Sequence, residues 1–372
     1  MFLSEKNTRK KILSWITAAM AAVICVNFIC MLYVREPGGI ERSGGPIYAA
    51  SQPGVVSVNC EEGYGFNKTD RNGYTNYTDN LAQDGYVLIL GNSMTRATNV
   101  FPEDRYVQQL NRMFADSIGG DASETAYVYS ITRGGALFAE LASGYDAAIE
   151  EYPNAKAVVI QLAFSNKDME INKDLLDKVY DQRNYDYTQT AEYIFENERS
   201  FKRFKHWVKS SLPLIPFAQN RRFNRIGHPF SAAFGIDWNA LVYSGESDSE
   251  TDSILVESEI DKKEILVEAL TYLNSKNDIP LIIIDMPEIR FFDEKSIEYN
   301  LYDQRIWEEA CAEAGVPFIG MTEEFDNMYA QDGKLPYGFN NTTMGAGHLN
   351  KDGNRLVAKT LYQKLKELEV VE

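Results

Sequence analysis

The pattern of apolar and polar positions divides the chain before any motif is considered. Ile12 to Val34 contains no charged residue, and a run of that length can cross a hydrocarbon core, which takes about 20 mostly apolar residues. Lys6, Arg9, Lys10 and Lys11 precede the run, and Arg35 with Glu36 follows it. The positive-inside bias therefore predicts a cytoplasmic N-terminus, with everything after the run outside. A cleaved signal peptide is the competing reading. Its apolar region is usually about 7–15 residues and ends on small side chains, whereas this run is longer and carries Asn27 and Tyr33. The division predicted is a basic tail over 1–11, a membrane anchor over 12–34, a lead-in over 35–84, and one domain over 85–372.

From the anchor to about Gly85 the chain is rich in Gly, Asn, Tyr and Ser, with turn pairs at Pro53-Gly54 and Asn72-Gly73. Hydrophobic periodicity is weak there, so the segment reads as a stalk. From Tyr86 short apolar runs alternate with amphipathic stretches. Tyr86–Leu90, Ala126–Ile131, Ala157–Leu162, Leu281–Ile284 and Pro317–Met321 are expected strands; Ala136–Glu151, Glu259–Leu273, Ile306–Ala314 and Asn354–Leu368 are expected helices. Helical spacing also runs through Tyr106, Leu110, Met113 and Phe114. Strands that alternate with helices and read as continuous apolar runs predict a parallel sheet covered on both faces, hence a three-layer α/β/α domain. Ligands on such sheets bind outside the carboxyl ends of the strands.

Composition refines this picture modestly. A hydrophobic content of 44% with 22 Tyr and 19 Phe supplies a real core. A net charge of −17 excludes nucleic acid held by general electrostatic attraction. Cys25 and Cys30 fall in the apolar run; Cys60 and Cys311 could pair outside the membrane, on weak grounds. No CxxC or His-rich cluster indicates a metal, and nothing calls for a cofactor.

The strand ends carry the candidate chemistry. The first strand runs into Gly91-Asn92-Ser93, which places a hydroxyl on a rigid element at the sheet edge, as an acyl-transfer serine requires. Read alone, the same residues also make an ordinary helix N-cap. Thr95 stands where the nucleophile elbow Gly-x-Ser-x-Gly needs its second Gly, which disfavours the α/β-hydrolase elbow. Gly134-Gly135 after the second strand could present a backbone amide to an oxyanion or form a plain turn. Asn166 after the third strand offers an uncharged side-chain donor or a cap. Only three histidines exist, and His348, in a glycine-flanked loop before the last helix, is the best placed to act as a base near neutral pH.

In order along the chain, these segments resemble the SGNH (GDSL-like) hydrolase superfamily. Gly91-Asn92-Ser93 stands where that family has Gly-Asp-Ser, and Asn99 to Tyr106 looks like the stretch that follows in many envelope-associated members. Gly134, or Gly135 beside it, falls at the oxyanion glycine, Phe164-Ser165-Asn166 looks like the third block, and His348 to Gly353 looks like the last. The resemblance implies a flavodoxin-like fold and a Ser93–His348 acyl-enzyme mechanism, with the Ser93 and Gly134 amides and Asn166 holding the oxyanion. It also implies an anchored esterase or O-acyltransferase, working on acylated glycans of the envelope or on small esters, with a membrane partner as a candidate acyl donor. Three positions depart from the family: Asn92 for Asp, Lys167 for Asp, and Gly345 where an Asp precedes the His by three residues. With no acid at 345, His348 would be oriented by a backbone carbonyl or by an acid from elsewhere, for which Asp285 and Asp326 are candidates; the alternative is a weakened homologue that binds glycan or serves assembly.

Between Asp168 and about Glu257 the crossover is too long for a normal connection. It carries Arg199, Lys202, Arg203, Lys205, Lys209, Arg221, Arg222 and Arg225 among Phe201, Phe204, Trp207 and Phe217. In an acidic protein this basic 199–225 segment reads as a lid, an anionic-glycan groove, a contact for anionic lipid headgroups, or a solvated amphipathic helix.

Overall fold

The computed structural model describes residues 2–32, 53–60, 62–163, 171, 173–181, 204, 207, 208, 211–215, 252–293, 296–299 and 302–370. Helix α1 (Phe2–Met31) contains the apolar run; over Lys10–Met31 it is long and apolar enough to cross a membrane. Its large side chains, including Trp15 and Phe28, are exposed rather than packed on protein.

Strands β1 (Val56–Asn59) and β2 (Gly65–Lys68) form an antiparallel hairpin. The central sheet is built from β3 (Tyr86–Gly91), β4 (Val128–Thr132), β5 (Ala155–Ala163), β6 (Leu281–Met286) and, beyond the small antiparallel pair β7 (Ile289–Phe292) and β8 (Ile297–Tyr299), β9 (Phe318–Gly320). Its order is β4-β3-β5-β6-β9, and every pairing is parallel. Counting only these five strands, the order is 2-1-3-4-5, the flavodoxin-like arrangement, whose switch point lies where β3 separates β4 from β5.

All six residues of β3 are buried, because its alternate side chains feed two different cores. Leu88 and Leu90 join Ile131, Val158, Ile160 and Ile283 beneath one helical layer, while Val87 and Ile89 join Val159, Ile282 and Ile284 beneath the other. The first layer comprises α4 (Phe138–Ala142), α5 (Tyr145–Glu151), α6 (Lys173–Tyr180), α7 (Asp252–Asn274) and α8 (Tyr302–Glu313); the short α2 (Ser93–Arg96) and α3 (Tyr106–Ile118) precede them in the chain. Helices α3, α9 (Thr322–Asp332) and α10 (Lys351–Glu367) cover the opposite face. The three-layer α/β/α fold expected from the apolar runs is therefore the one observed.

Two local expectations change. The helix expected over 136–151 is two, α4 and α5, separated at Ser143-Gly144. The segment read as a stalk is folded onto the domain from the β1–β2 hairpin onward. Its interior is polar, with Asn67, Thr69, Thr75 and Asn76 buried beside Tyr74, and it is held by hydrogen bonds that apolar periodicity does not reveal. Asn76 donates to Ser130 O at 2.9 Å and accepts from the Ser130 N–H at 3.0 Å. Cys60 and Cys311 are not joined: Cys311 is buried on α8, where burial and the nearby Glu308 push its thiol up to about 12.

Candidate active site

At the carboxyl end of β3 the helix-capping role falls to Asn92. Its Oδ1 accepts from the Met94 N–H at 3.0 Å, and its Nδ2 donates to Ala136 O at 3.4 Å, strapping the turn to the segment after β4. Ser93 is left as the first helical residue, partly exposed, where a backbone N–H has no intrahelical acceptor. The turn rests on a buried polar relay. Gln161 Oε1 accepts from the Asn92 N–H at 3.1 Å and from the Thr95 hydroxyl at 2.8 Å. Thr95 Oγ1, having spent its one proton, then accepts from Tyr106 OH at 2.8 Å.

The Gly134 turn lies alongside. Gly91 pairs with Thr132, and the Arg133 N–H donates to Gly91 O at 3.0 Å, so the two turns leave adjacent strands together. Gly134 and Gly135 are both exposed. The guanidinium of Arg96 sits close by, with Nη1 3.9 Å from where a Cβ on Gly134 would be. Asn166, the third expected oxyanion donor, lies outside the described residues, as do the cations of the 199–225 segment; Phe204 and Trp207 within that segment are exposed.

His348 is held by a carboxylate, and it belongs to neither acid expected from the sequence. Its Nδ1 lies 2.6 Å from Glu62 Oε2, and its backbone N–H donates to the same oxygen at 3.0 Å. Burial alone would raise the Glu62 carboxyl, but the bonds from His348 and the charge of its ring outweigh it and hold the group below its ordinary value. An ionised carboxylate can only accept, so the Nδ1 proton points at Glu62 and Nε2 is left as the basic nitrogen. Asp285 is instead fully buried at the end of β6, near enough to Tyr337 for its charge to be felt there. Asp326 is exposed on α9, beside Tyr299.

Glu62 comes from the turn between β1 and β2, which is wedged between two loops. On one side Asn59 and Asn67 bond Thr98, five residues beyond Ser93, at 3.5 and 3.2 Å. Arg105, itself buried, donates to Thr75 O at 2.8 Å, to Ala97 O at 3.3 Å and to Asn67 Oδ1. On the other side Asn341, in the loop leading to His348, accepts from the Gly63 N–H at 2.8 Å and donates to Cys60 O and Gly63 O at 3.1 and 3.2 Å. A cleft of about 470 Å³ opens at this junction, lined by Tyr64, Phe101, Phe339, Asn340 and Asn350 among others.

No protein-family model and no curated relative matches the sequence. Among solved structures the chain is similar to TesA, at 11% identity with a TM-score of 0.38 over 76% of this chain and 99% of that one. It is similar to the acetyl xylan esterase AlAXEase at 14% identity and a TM-score of 0.35, over 75% and 99% of the two chains. LAE5, an alpha/beta hydrolase enzyme from the metagenome of Lake Arreo, matches at 11% identity and a TM-score of 0.37, over 78% and 98%. At such identities and scores these likenesses assign no activity. The 2-1-3-4-5 parallel sheet, with the Ser93 turn at its switch point, is the flavodoxin-like arrangement expected from the sequence.

Proposed function

We propose that this chain is an SGNH-type serine esterase or O-acyltransferase, held by α1 at the outer face of a membrane and acting on acyl, chiefly acetyl, esters of envelope or exported glycans. One observation carries the reading: Ser93 follows the central strand at the switch point, and an imidazole oriented by a carboxylate lies on a loop that shares the lead-in turn with it. In the reaction Ser93 Oγ attacks the ester carbonyl while His348 Nε2 takes its proton. The Ser93 and Gly134 N–H groups, with the Asn166 amide, hold the oxyanion, and His348 returns the proton to the leaving alcohol. Water or a sugar hydroxyl then attacks the acyl-enzyme, with His348 as base again. Water makes an esterase and a glycan hydroxyl a transferase.

The cleft beside the lead-in is lined by Tyr64, Phe101 and Asn340 but by neither Ser93 nor His348, so it is a candidate groove for the body of a glycan and not for the reacting ester; aromatic faces next to amides suit the mixed apolar and hydroxylated faces of sugars. The four cations ahead of the apolar part of α1 support the outward topology. The carboxylate on His348 supports catalysis over the weakened binding domain that Gly345 suggested.

The full chain in detergent, beside Ser93→Ala, is to be assayed with a chromogenic acetyl ester, with acetylated envelope polysaccharide, and with a fluorophosphonate that labels activated serines. Turnover and labelling by the native chain, reduced at least about 10³-fold in Ser93→Ala, are expected. Equal turnover by both, or neither turnover nor labelling by the native chain, refutes the reading.

A further inference from the structure

We infer that Glu62 is the positioning acid of this site, and that the β1–β2 turn which carries it, fastened by Asn341, is a working part of the active site. The inference rests on the reading of Ser93 and His348 as nucleophile and base.

Four observations converge on it. A single carboxylate oxygen takes both the ring Nδ1 proton and the backbone N–H of His348, so it fixes the orientation of the ring and the path of the loop together. Space has been left for that carboxylate: a Cβ on Gly347 would lie 2.8 Å from Glu62 Oε2 and 3.1 Å from its Cδ. The turn is docked from the other direction by Asn341, whose amide makes three hydrogen bonds to Cys60 and Gly63, on either side of Glu62. Position 345 is closed to an acid, since Gly345 has φ +79 and a Cβ there would lie 2.9 Å from Phe292 Cε1. The carboxylate therefore reaches the imidazole from a partner 286 positions away in the sequence.

Glu62 touches no reacting atom in this scheme. Its work is to keep the Nδ1 proton in place, so that Nε2 is left as the base, and to stabilise the imidazolium formed during attack. Replacing the acid with its amide in such an arrangement permits the wrong tautomer and costs up to about 10⁴ in kcat.

The experiment uses the full chain in detergent with Glu62→Gln, Glu62→Asp and Asn341→Ala. Four readouts are taken: kcat and KM on the acetyl ester, the rate of fluorophosphonate labelling, the melting transition, and the ¹H signal of the His348 Nδ1 proton. Expected are a fall in kcat of about 10²–10⁴ in Glu62→Gln with KM changed less than about threefold, and at least tenfold recovery in Glu62→Asp. Asn341→Ala is expected to lose about tenfold through looser docking. The Nδ1 proton should be strongly deshielded in the native chain and shifted upfield in Glu62→Gln, a change that a merely structural role would not produce. Native kcat and labelling rate in Glu62→Gln overturn the assignment, and so does an Nδ1 proton that does not move. If the native chain itself neither turns over ester nor takes the label, the nucleophile-and-base reading fails. The Nδ1 signal then still decides whether Glu62 holds His348.

Discussion

Gly347→Ala tests the packing of the acid against the base loop without altering either residue. Gly347 and Gly345 both have left-handed backbones, φ +83 and +79, so an alanine at either costs about 1–2 kcal/mol in strain. They differ in what the added methyl meets. At 345 it meets the edge of the Phe292 ring, whereas at 347 it would lie 2.8 Å from Glu62 Oε2. The carboxylate must retreat by about half an ångström, which stretches a 2.6 Å hydrogen bond beyond its good range. A charge-assisted bond of this kind is worth about 1.5–3 kcal/mol, which translates to roughly 10–100-fold in rate. Steady-state kinetics of both variants, at a temperature where each is folded by its melting curve, should show kcat/KM lower in Gly347→Ala by that factor. Similar destabilisation of the two variants with equal kcat/KM would refute the reasoning.

Two more outcomes follow from the same region. Arg105 is buried against three neutral acceptors, and burial together with the nearby Arg96 pushes its guanidinium down to about 9. Arg105→Met strips Thr75 O, Ala97 O and Asn67 Oδ1 of their donor and should cost about 2–4 kcal/mol after the relief of a buried charge; an unchanged denaturant midpoint would contradict this. The Glu62 carboxyl is held below its ordinary 4.5 in the folded chain, so the stability it lends is complete above that value and disappears as pH falls through the lower folded one. The melting temperature of the native chain should therefore drop more than that of Glu62→Gln between about pH 6 and about pH 3, and parallel pH curves would count against the contact.

The central fold was legible in the sequence because buried parallel strands leave continuous apolar runs, and Tyr86–Leu90, Ala157–Leu162 and Leu281–Ile284 each lie inside an observed strand. Helix α9 escaped notice because its sequence, TEEFDNMYAQD, buries Phe325 alone among its residues. The β1–β2 hairpin escaped for a different reason. Its packing is carried by amide and hydroxyl side chains whose partners, such as Thr98, Arg105 and Ser130, lie far along the chain. Ser93 and His348 could be proposed from local context, a strand end and a glycine-rich loop. Glu62 could not, because an acid that reaches its imidazole through tertiary docking leaves no spacing to read. The clue available was indirect: Gly345 marked a vacancy in the family pattern without saying what filled it.

The hairpin also determines where the molecule can be shortened. Tyr86 looks like the natural start of an independently expressed domain, since regular alternation of strands and helices begins there. Beginning at that residue would discard two of the three acceptors of Arg105, Thr75 O and Asn67 Oδ1, together with the carboxylate on His348, and should yield a less stable protein. Starting upstream of Val56 retains both while leaving out α1, so the hairpin travels with the α/β domain and not with the apolar helix.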